Sequence, residues 1–180
     1  MVAMLLGTGF EPLEAVAPCD ILRRGGVEVK LAAIGEKLVE AGHGVRVEAD
    51  CTLAELDVKN LEMIILPGGL GGVRAIGASN AALGAVREVY DAGGFVAAIC
   101  AGPTVLARLG LLEGKKATCY PGCEDEMAGA VMQNAGVVRD GRIITGRAAG
   151  AAVDFGLALL AALKGEDEAK RVAAGIVYER

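Results

Sequence analysis

A cysteine stands where a buried strand should turn into a helix. The apolar run 95–99 ends on Cys100, and Pro103 suits the first turn of a helix, where a missing N–H costs nothing. Ala98 and Gly102 are small enough to permit the sharp elbow that exposes a nucleophile above a sheet. A thiol at a helix N-terminus has a lowered pKa, in the range of roughly 3.5–7.5. The pattern predicts a reactive thiolate at Cys100; the alternative is a small apolar core residue, as many free cysteines are.

A carboxylic acid follows the first predicted strand and should lie near this cysteine. Glu14 belongs to the segment 11–18, directly after the apolar run that begins the chain. Open α/β sheets place their sites at the carboxyl ends of the strands, so Glu14 and Cys100 are expected at the same edge. The alternative is that Glu11 and Glu14 form a solvated first turn that complements the helix dipole.

Consecutive glycines come after another predicted strand. Pro67-Gly68-Gly69 follows the predicted strand Met63 to Leu66. Because Gly71 and Gly72 come next, the residues after Gly69 are predicted to form a loop. The backbone N–H groups of Gly68 and Gly69, with that of Ala101, would form an oxyanion hole. A phosphate-binding loop is the weaker alternative, because no G-x-x-x-x-G-K-[ST] motif is present.

Two further side chains are candidates for proton transfer. A cysteine nucleophile usually recruits a histidine, but the only one, His43, lies between glycines in a predicted hairpin and is expected at the surface or at an interface. Tyr120 is the next polar candidate. The alternative for Tyr120 is an ordinary half-buried tyrosine with a satisfied hydroxyl.

Composition excludes several classes of protein. The 180 residues suit a single domain spanning 1–180, and a net charge of -5 without a basic run argues against nucleic-acid binding. No apolar run approaches the ~18–20 residues of a membrane span, and the first residues lack a signal-peptide pattern, so a cytoplasmic protein is expected.

Five cysteines are an odd number, which predicts free thiols. Cys119 and Cys123 are the only close pair, and with one histidine in the chain no metal site is expected.

Short apolar runs alternate with helical patterns, which predicts a parallel sheet covered by helices on both faces. The predicted strands are Val2 to Leu6, Val27 to Ala33, Met63 to Leu66, Phe95 to Ile99 and Arg142 to Thr145. The predicted helices include Ser79 to Ala92, with Ser79 as N-cap and Gly93 after the end, Val153 to Leu163 and Glu168 to Ala174. The segment 35–52 is instead predicted to be a hairpin with glycines in its turn, which forms an edge ribbon of the sheet.

Taken together, these motifs resemble the ThiJ/PfpI superfamily, and within it the branch of the Parkinson-disease-associated deglycase and its bacterial relatives. The resemblance covers essentially the whole chain. It is carried by Glu11-Pro12-Leu13-Glu14, Pro18-Cys19-Asp20, Arg23-Arg24-Gly25-Gly26, Leu66-Pro67-Gly68-Gly69, Ala97-Ala98-Ile99-Cys100-Ala101-Gly102-Pro103, Thr145-Gly146-Arg147 and Asp154-Phe155-Gly156-Leu157.

The resemblance implies a flavodoxin-like three-layer α/β sandwich with a mainly parallel central sheet, like the class I glutamine amidotransferases, and a homodimer. It implies that Cys100 is the nucleophile, in a strained backbone conformation, and that Glu14 is a protonated acid beside it. It gives Gly68, Gly69 and Ala101 as backbone donors and places Arg24 near a dimer interface and anion site. His43 falls about where relatives have a second arginine.

Two departures from the family pattern bear on function. Well-studied members of this branch carry a histidine where this chain has Tyr120, and the protease branch has a histidine where this chain has Ala101. Proteolysis is therefore not expected. The expected function is a cofactor-free, cysteine-dependent enzyme acting on small reactive carbonyls by glyoxalase- or deglycase-type chemistry. The alternatives are an oxidative-stress redox sensor or chaperone using the same cysteine, and a structural homodimer with a vestigial site.

Overall fold

A seven-stranded sheet lies at the centre of the computed structural model, which describes residues 1–179. In chain order the strands of the whole structure are β1 (Val2–Leu6), β2 (Val29–Ala33), β3 (Leu38–Glu40), β4 (Arg46–Glu48), β5 (Cys51–Thr52), β6 (Met63–Leu66), β7 (Phe95–Ile99), β8 (Lys116–Ala117), β9 (Val131–Met132), β10 (Val137–Asp140) and β11 (Ile143–Gly146). The central sheet has the order β10-β11-β7-β6-β1-β2-β5, and only β10 is antiparallel to its neighbour. The run β2-β1-β6-β7-β11 is the flavodoxin order.

Within residues 1–179, six α-helices flank this sheet. They are α1 (Pro12–Arg24), α2 (Leu70–Ala78), α3 (Asn80–Asp91), α4 (Pro103–Arg108), α5 (Ala152–Lys164) and α6 (Glu166–Gly175). Two apolar clusters separate them into layers: one face of the sheet packs on α1, α5 and α6, and the other on α2, α3 and α4. Met4 and Leu6 point into the first cluster, whereas Ala3 and Leu5 point into the second. This alternation confirms the predicted three-layer α/β sandwich.

Most sequence-predicted elements are present with small shifts at their ends. All five predicted strands form, although β2 begins at Val29, because Val27 still closes the turn after α1 by donating to Leu22 O at 3.0 Å. Ser79 caps α3 as predicted, its Oγ accepting from Ala82 N at 3.1 Å. The strands β5 and β10 were not predicted, since two and four residues of mixed polarity give little strand signal.

The predicted glycine-rich loop after Gly69 is wrong, because residues 70–78 form α2. Glycine is a poor helix former, but close packing outweighs that preference here. A Cβ at Gly72 would lie 2.8 Å from Phe10 Cα, and one at Gly71 would lie 2.9 Å from Thr8 O. The glycines therefore let α2 approach the β1–α1 loop.

The predicted hairpin is confirmed, but it is not an edge strand of the main sheet. Strands β3 and β4 pair antiparallel as a separate two-stranded sheet, with Val39 opposite Val47. Its turn places His43 and Gly44 in the left-handed region, at φ 61° and 76°. The hairpin packs on the β1–α1 loop, where Gly9 N donates to Glu40 O and Gly42 N to Phe10 O. Within residues 1–179, no helix is long and apolar enough to cross a bilayer.

The crossing of α1 and α5 gives a stability prediction. A Cβ on Gly156 would lie 2.8 Å from Ile21 Cδ1 and 3.0 Å from the backbone of Pro18. Gly156→Ala should therefore lower the free energy of unfolding by about 1–2 kcal/mol, because overpacking costs more than the gain in helix propensity. Chemical denaturation measures the change. Gly84→Ala is the matched control: its Cβ on α3 meets open space, so it should raise stability by up to about 1 kcal/mol. Equal effects of the two substitutions would contradict this packing account.

Candidate active site

The predicted elbow lies between β7 and α4, with Cys100 at its apex. Cys100 has φ 65°, a conformation that non-glycine residues rarely adopt and that costs on the order of 1–3 kcal/mol. Two hydrogen bonds hold it there: Cys100 N donates to Gly146 O at 2.9 Å, and Cys100 O accepts from Tyr120 N at 2.8 Å. A Cβ on Gly102 would lie 2.8 Å from Leu66 O, so the elbow needs the small residue predicted there.

Glu14 lies against this cysteine from the first turn of α1. Its side chain is 1% exposed, and Oε2 accepts a hydrogen bond from Gly68 N at 2.9 Å. Its carboxyl is also hydrogen-bonded to the Cys100 thiol. The predicted juxtaposition of Glu14 and Cys100 is therefore present, whereas the alternative of a solvated acidic turn does not describe Glu14.

Gly68 makes this contact possible and has a different role from the one expected. A Cβ at this position would lie 2.4 Å from Glu14 Oε2 and 3.0 Å from Cys100 Sγ, so any larger residue would separate the pair. Its N–H is engaged by Glu14 and is not directed to an oxyanion. The N–H groups that do face the sulfur are those of Gly69 and Ala101.

Burial disfavours ionisation of both groups, and Glu14 further disfavours ionisation of Cys100, whereas the hydrogen bond from Cys100 favours the ionised form of Glu14. Burial raises the pKa of Glu14 to about 7, partly offset by hydrogen bonds from Cys100 and Gly68, and the nearby Glu11 carboxylate raises it further. Burial, the charge of Glu14 and its hydrogen bond raise the pKa of Cys100 to about 12, against the amides of Ala101 and Gly69. The low thiol pKa expected from the helix N-terminus is therefore wrong while Glu14 is charged, because burial and the neighbouring carboxylate outweigh the effect of the amides.

Above about pH 7 the pair therefore holds one proton, because the pKa of Glu14 is about 7 and that of Cys100 is about 12. Two of the three effects that raise the thiol pKa come from the charged form of Glu14. A proton on Glu14 removes both and allows that carboxyl to donate to the sulfur. A thiolate at Cys100 thus forms together with a protonated Glu14.

A cavity of about 360 Å³ opens onto this pair. Its lining comprises Glu11, Glu14, Gly69, Leu70, Cys100, Ala101, Tyr120, Ala148, Ala149 and Gly150. Sequence reasoning missed Leu70 and the segment 148–150 as lining residues. The sequence did indicate residues 148–150 as part of the site, because this segment follows β11 and parallel strands end at the same edge of the sheet.

Tyr120 and His43 lie at the outside of the cavity. Tyr120 is part of the lining and is 49% exposed, so its phenol is at the mouth and not in the core. The side chain of His43 is 83% exposed, and its Nε2 lies 3.7 Å from Glu11 Oε2. His43 is thus a surface residue, as expected, and its nearest acidic partner is a residue of the cavity.

Arg24 is not brought to this cavity within one chain. It lies at the far end of α1, about 15 Å along the helix axis from Glu14, where its Nε donates to Asp20 Oδ2 at 2.6 Å. The spacing in the sequence already implies this separation, because ten residues of α-helix divide the two side chains.

The other cysteines are free thiols outside the cavity lining. Cys119 is buried beside the elbow, its Sγ 3.4 Å from Tyr120 O, and burial raises its pKa to about 11. Cys123 is half-buried on the turn that follows. Over the described residues no cluster of side chains could hold a metal ion.

The shared proton yields a titration prediction. Glu14→Gln removes the neighbouring charge, so the thiol pKa of Cys100 should fall and alkylation by iodoacetamide near neutral pH should become roughly tenfold faster or more. Site-resolved mass spectrometry measures the rate, with the other four thiols as internal references. Glu14→Asp retains the charge and should not produce this gain. An unchanged or slower rate in Glu14→Gln would rule out Glu14 as the group that suppresses thiol ionisation.

Comparison with known proteins shows the family of this chain. Residues 1–162 match the DJ-1/PfpI family. The chain is 35% identical over 177 residues to the protein dj-1beta of Drosophila melanogaster, covering 97% of this chain and 95% of that one. It is 33% identical over 148 residues to a deglycase of Pyrococcus horikoshii, covering 81% and 89%.

Solved structures give the same assignment. The crystal structure of Drosophila melanogaster DJ-1beta superposes with a TM-score of 0.93 at 34% identity, covering 99% of this chain and 98% of that one. An oxidized DJ-1 of Toxoplasma gondii superposes with a TM-score of 0.95 at 31% identity, with the same coverage. The predicted resemblance is confirmed: the chain belongs to the DJ-1/PfpI family.

Proposed function

We propose that the protein is a cytoplasmic, cysteine-dependent enzyme that acts on reactive carbonyls, either hydrating 2-oxoaldehydes or hydrolysing their adducts. The observation that carries this proposal is the Glu14–Cys100 pair, in which a buried carboxyl lies beside a thiol at the wall of a small cavity. A thiol and an acid that line one cavity support the addition of sulfur to a carbonyl carbon with protonation of its oxygen. The deglycase name of the Pyrococcus horikoshii relative supports the same class of substrate.

In the proposed reaction the Cys100 thiolate attacks the aldehyde carbon of a 2-oxoaldehyde. An S–C bond forms, the carbonyl π pair moves to oxygen, and that oxygen takes the proton of Glu14, giving a hemithioacetal. Glu14, now a carboxylate, moves the proton of this carbon to the neighbouring carbonyl oxygen, which gives an enediol. It then moves the proton of the hemithioacetal hydroxyl to the neighbouring carbon, which gives a thioester of a 2-hydroxy acid. Water cleaves the thioester and restores the thiol, and no cofactor is needed.

The backbone supplies the electrostatic part of this chemistry. The N–H groups of Gly69 and Ala101 already face the Cys100 sulfur, so they are close to the oxygen of any group bonded to it. Donors fixed before the reaction stabilise a developing oxyanion without reorganisation. The cavity volume of about 360 Å³ is at the small end of ligand pockets, which suits small aldehydes.

A redox sensor is the second candidate. Peroxide would oxidise the Cys100 thiolate to a sulfenate and then, with a second peroxide, to a sulfinate, and a protonated Glu14 could donate a hydrogen bond to the product. The buried acid beside the sulfur favours this reading as well, and one related structure is that of an oxidized DJ-1.

A homodimer is also proposed. Leu13 and Val16 expose 59% and 48% of their surface on α1, which is unusual for neighbouring aliphatic residues on one helix. Arg24 is on the same helix, so a partner packed along α1 would approach Arg24 as well as the exposed Leu13 and Val16. Sedimentation analysis of the protein and of Leu13→Glu tests whether this face associates.

Turnover and oxidation separate the two functions. If the protein is an enzyme, methylglyoxal should be consumed over many cycles without lasting modification of the intact mass, and Cys100→Ser should abolish this consumption. Cys123→Ser is the matched control and should retain it. Stoichiometric oxidation of Cys100 by mild peroxide without methylglyoxal turnover would instead support the sensor.

Tyr120 should affect the rate but not be essential. An ordinary tyrosine does not act as a base near neutral pH, but its hydroxyl at the cavity mouth can donate a hydrogen bond to a bound oxygen. Tyr120→Phe should lower kcat/KM for methylglyoxal by roughly threefold to tenfold, the worth of one hydrogen bond. Tyr120→His should raise it. If both variants equal the parent protein, Tyr120 has no part in the reaction.

A further inference from the structure

We infer that Glu11 is a specificity residue that excludes anionic carbonyl compounds from the Cys100 cavity. The claim that carbonyl compounds are the molecules excluded rests on the proposed function. The claim that anions are repelled does not, because it follows from the charges that line the cavity and from the position of Glu11.

The cavity carries only negative formal charge. Its described lining residues include two acidic side chains, Glu11 and Glu14, and neither lysine nor arginine is present. Glu14 is buried and lies beside Cys100. Glu11 is the second carboxyl group of the cavity lining.

The position of Glu11 is fixed by its backbone. It is the residue before α1, and its N–H donates to Gly68 O at 2.9 Å, which ties it to the loop that carries the active-site glycines. Its side chain is only 22% exposed, and Oε2 faces the β3–β4 turn, 3.9 Å from where a Cβ on Gly42 would lie. The carboxylate is therefore held at the junction of cavity and hairpin.

The charge of Glu11 acts on groups inside the cavity, and nearby positive charge compensates it only weakly. Glu11 is close enough to raise the pKa of Glu14. The nearest basic group, His43 Nε2, is 3.7 Å from Glu11 Oε2, beyond an ordinary hydrogen bond, and is exposed to solvent. At separations of several ångströms near a protein surface, one carboxylate can change the approach of an anion by about tenfold.

An experiment that does not depend on carbonyl turnover tests the inference. Iodoacetamide and iodoacetate alkylate a thiolate in the same way and are similar in size, but only iodoacetate is anionic. The ratio of the two alkylation rates at Cys100 therefore reports charge selection, and any change in the thiolate fraction cancels. We expect Glu11→Gln to reduce the preference for iodoacetamide by about tenfold.

Two further variants complete the test. Glu48→Gln removes one charge from an exposed position on β4, away from the cavity, and should leave the ratio unchanged. His43→Arg places a permanent cation beside Glu11 and should reduce the ratio in the same direction as Glu11→Gln, which keeps the test valid if Glu11→Gln does not fold. An unaltered ratio in the Glu11 and His43 variants, or an equal change in Glu48→Gln, overturns the inference.

Substrates provide the second arm of the experiment. Methylglyoxal is uncharged and glyoxylate is a small anionic aldehyde, so the ratio of their kcat/KM values should fall about tenfold in Glu11→Gln. If neither compound is turned over but the alkylation ratio changes as expected, the proposed reaction fails and the role of Glu11 stands. If methylglyoxal is turned over but both ratios are unchanged, the role of Glu11 fails and the reaction stands.

Discussion

The site depends on the close approach of Glu14 to Cys100, which requires that the residue between them have no side chain. Gly68 meets this condition and also supplies the N–H that holds the carboxyl in place. Burying two acids side by side raises both pKa values, so the pair keeps a proton that either atom can carry. A carboxylic acid thereby lies beside the cysteine, where many cysteine enzymes have a histidine.

The topology of the sheet brings these three residues together. Glu14, Gly68 and Cys100 follow β1, β6 and β7, which are adjacent parallel strands and end at the same edge. The order of the strands reverses between β1 and β6, and an open α/β sheet forms a crevice at such a point. The hydrogen bonds of the Cys100 backbone to Gly146 and Tyr120 then fix the elbow to the next strand and loop.

The sequence was sufficient for the fold class, the five central strands and the pairing of Glu14 with Cys100, because these follow from apolar runs and from what comes directly after them. It was not sufficient where close packing decides the outcome. The helix α2 forms despite Gly71 and Gly72, and the Gly68 amide serves Glu14 and not an oxyanion. The thiol pKa was misjudged for a related reason: the sequence shows a helix start, but it does not show burial or the distance to a second acid.

The two borders of the sheet limit how copies of this chain can associate. On one side β5 has two residues and pairs only with the end of β2. On the other side β10 carries Arg139 and Asp140, and the guanidinium of Arg139 lies over the Phe95 ring. Short or charged border strands offer a poor template for another chain. Extension of the central sheet from one molecule into the next, the first step toward fibrils, is therefore disfavoured.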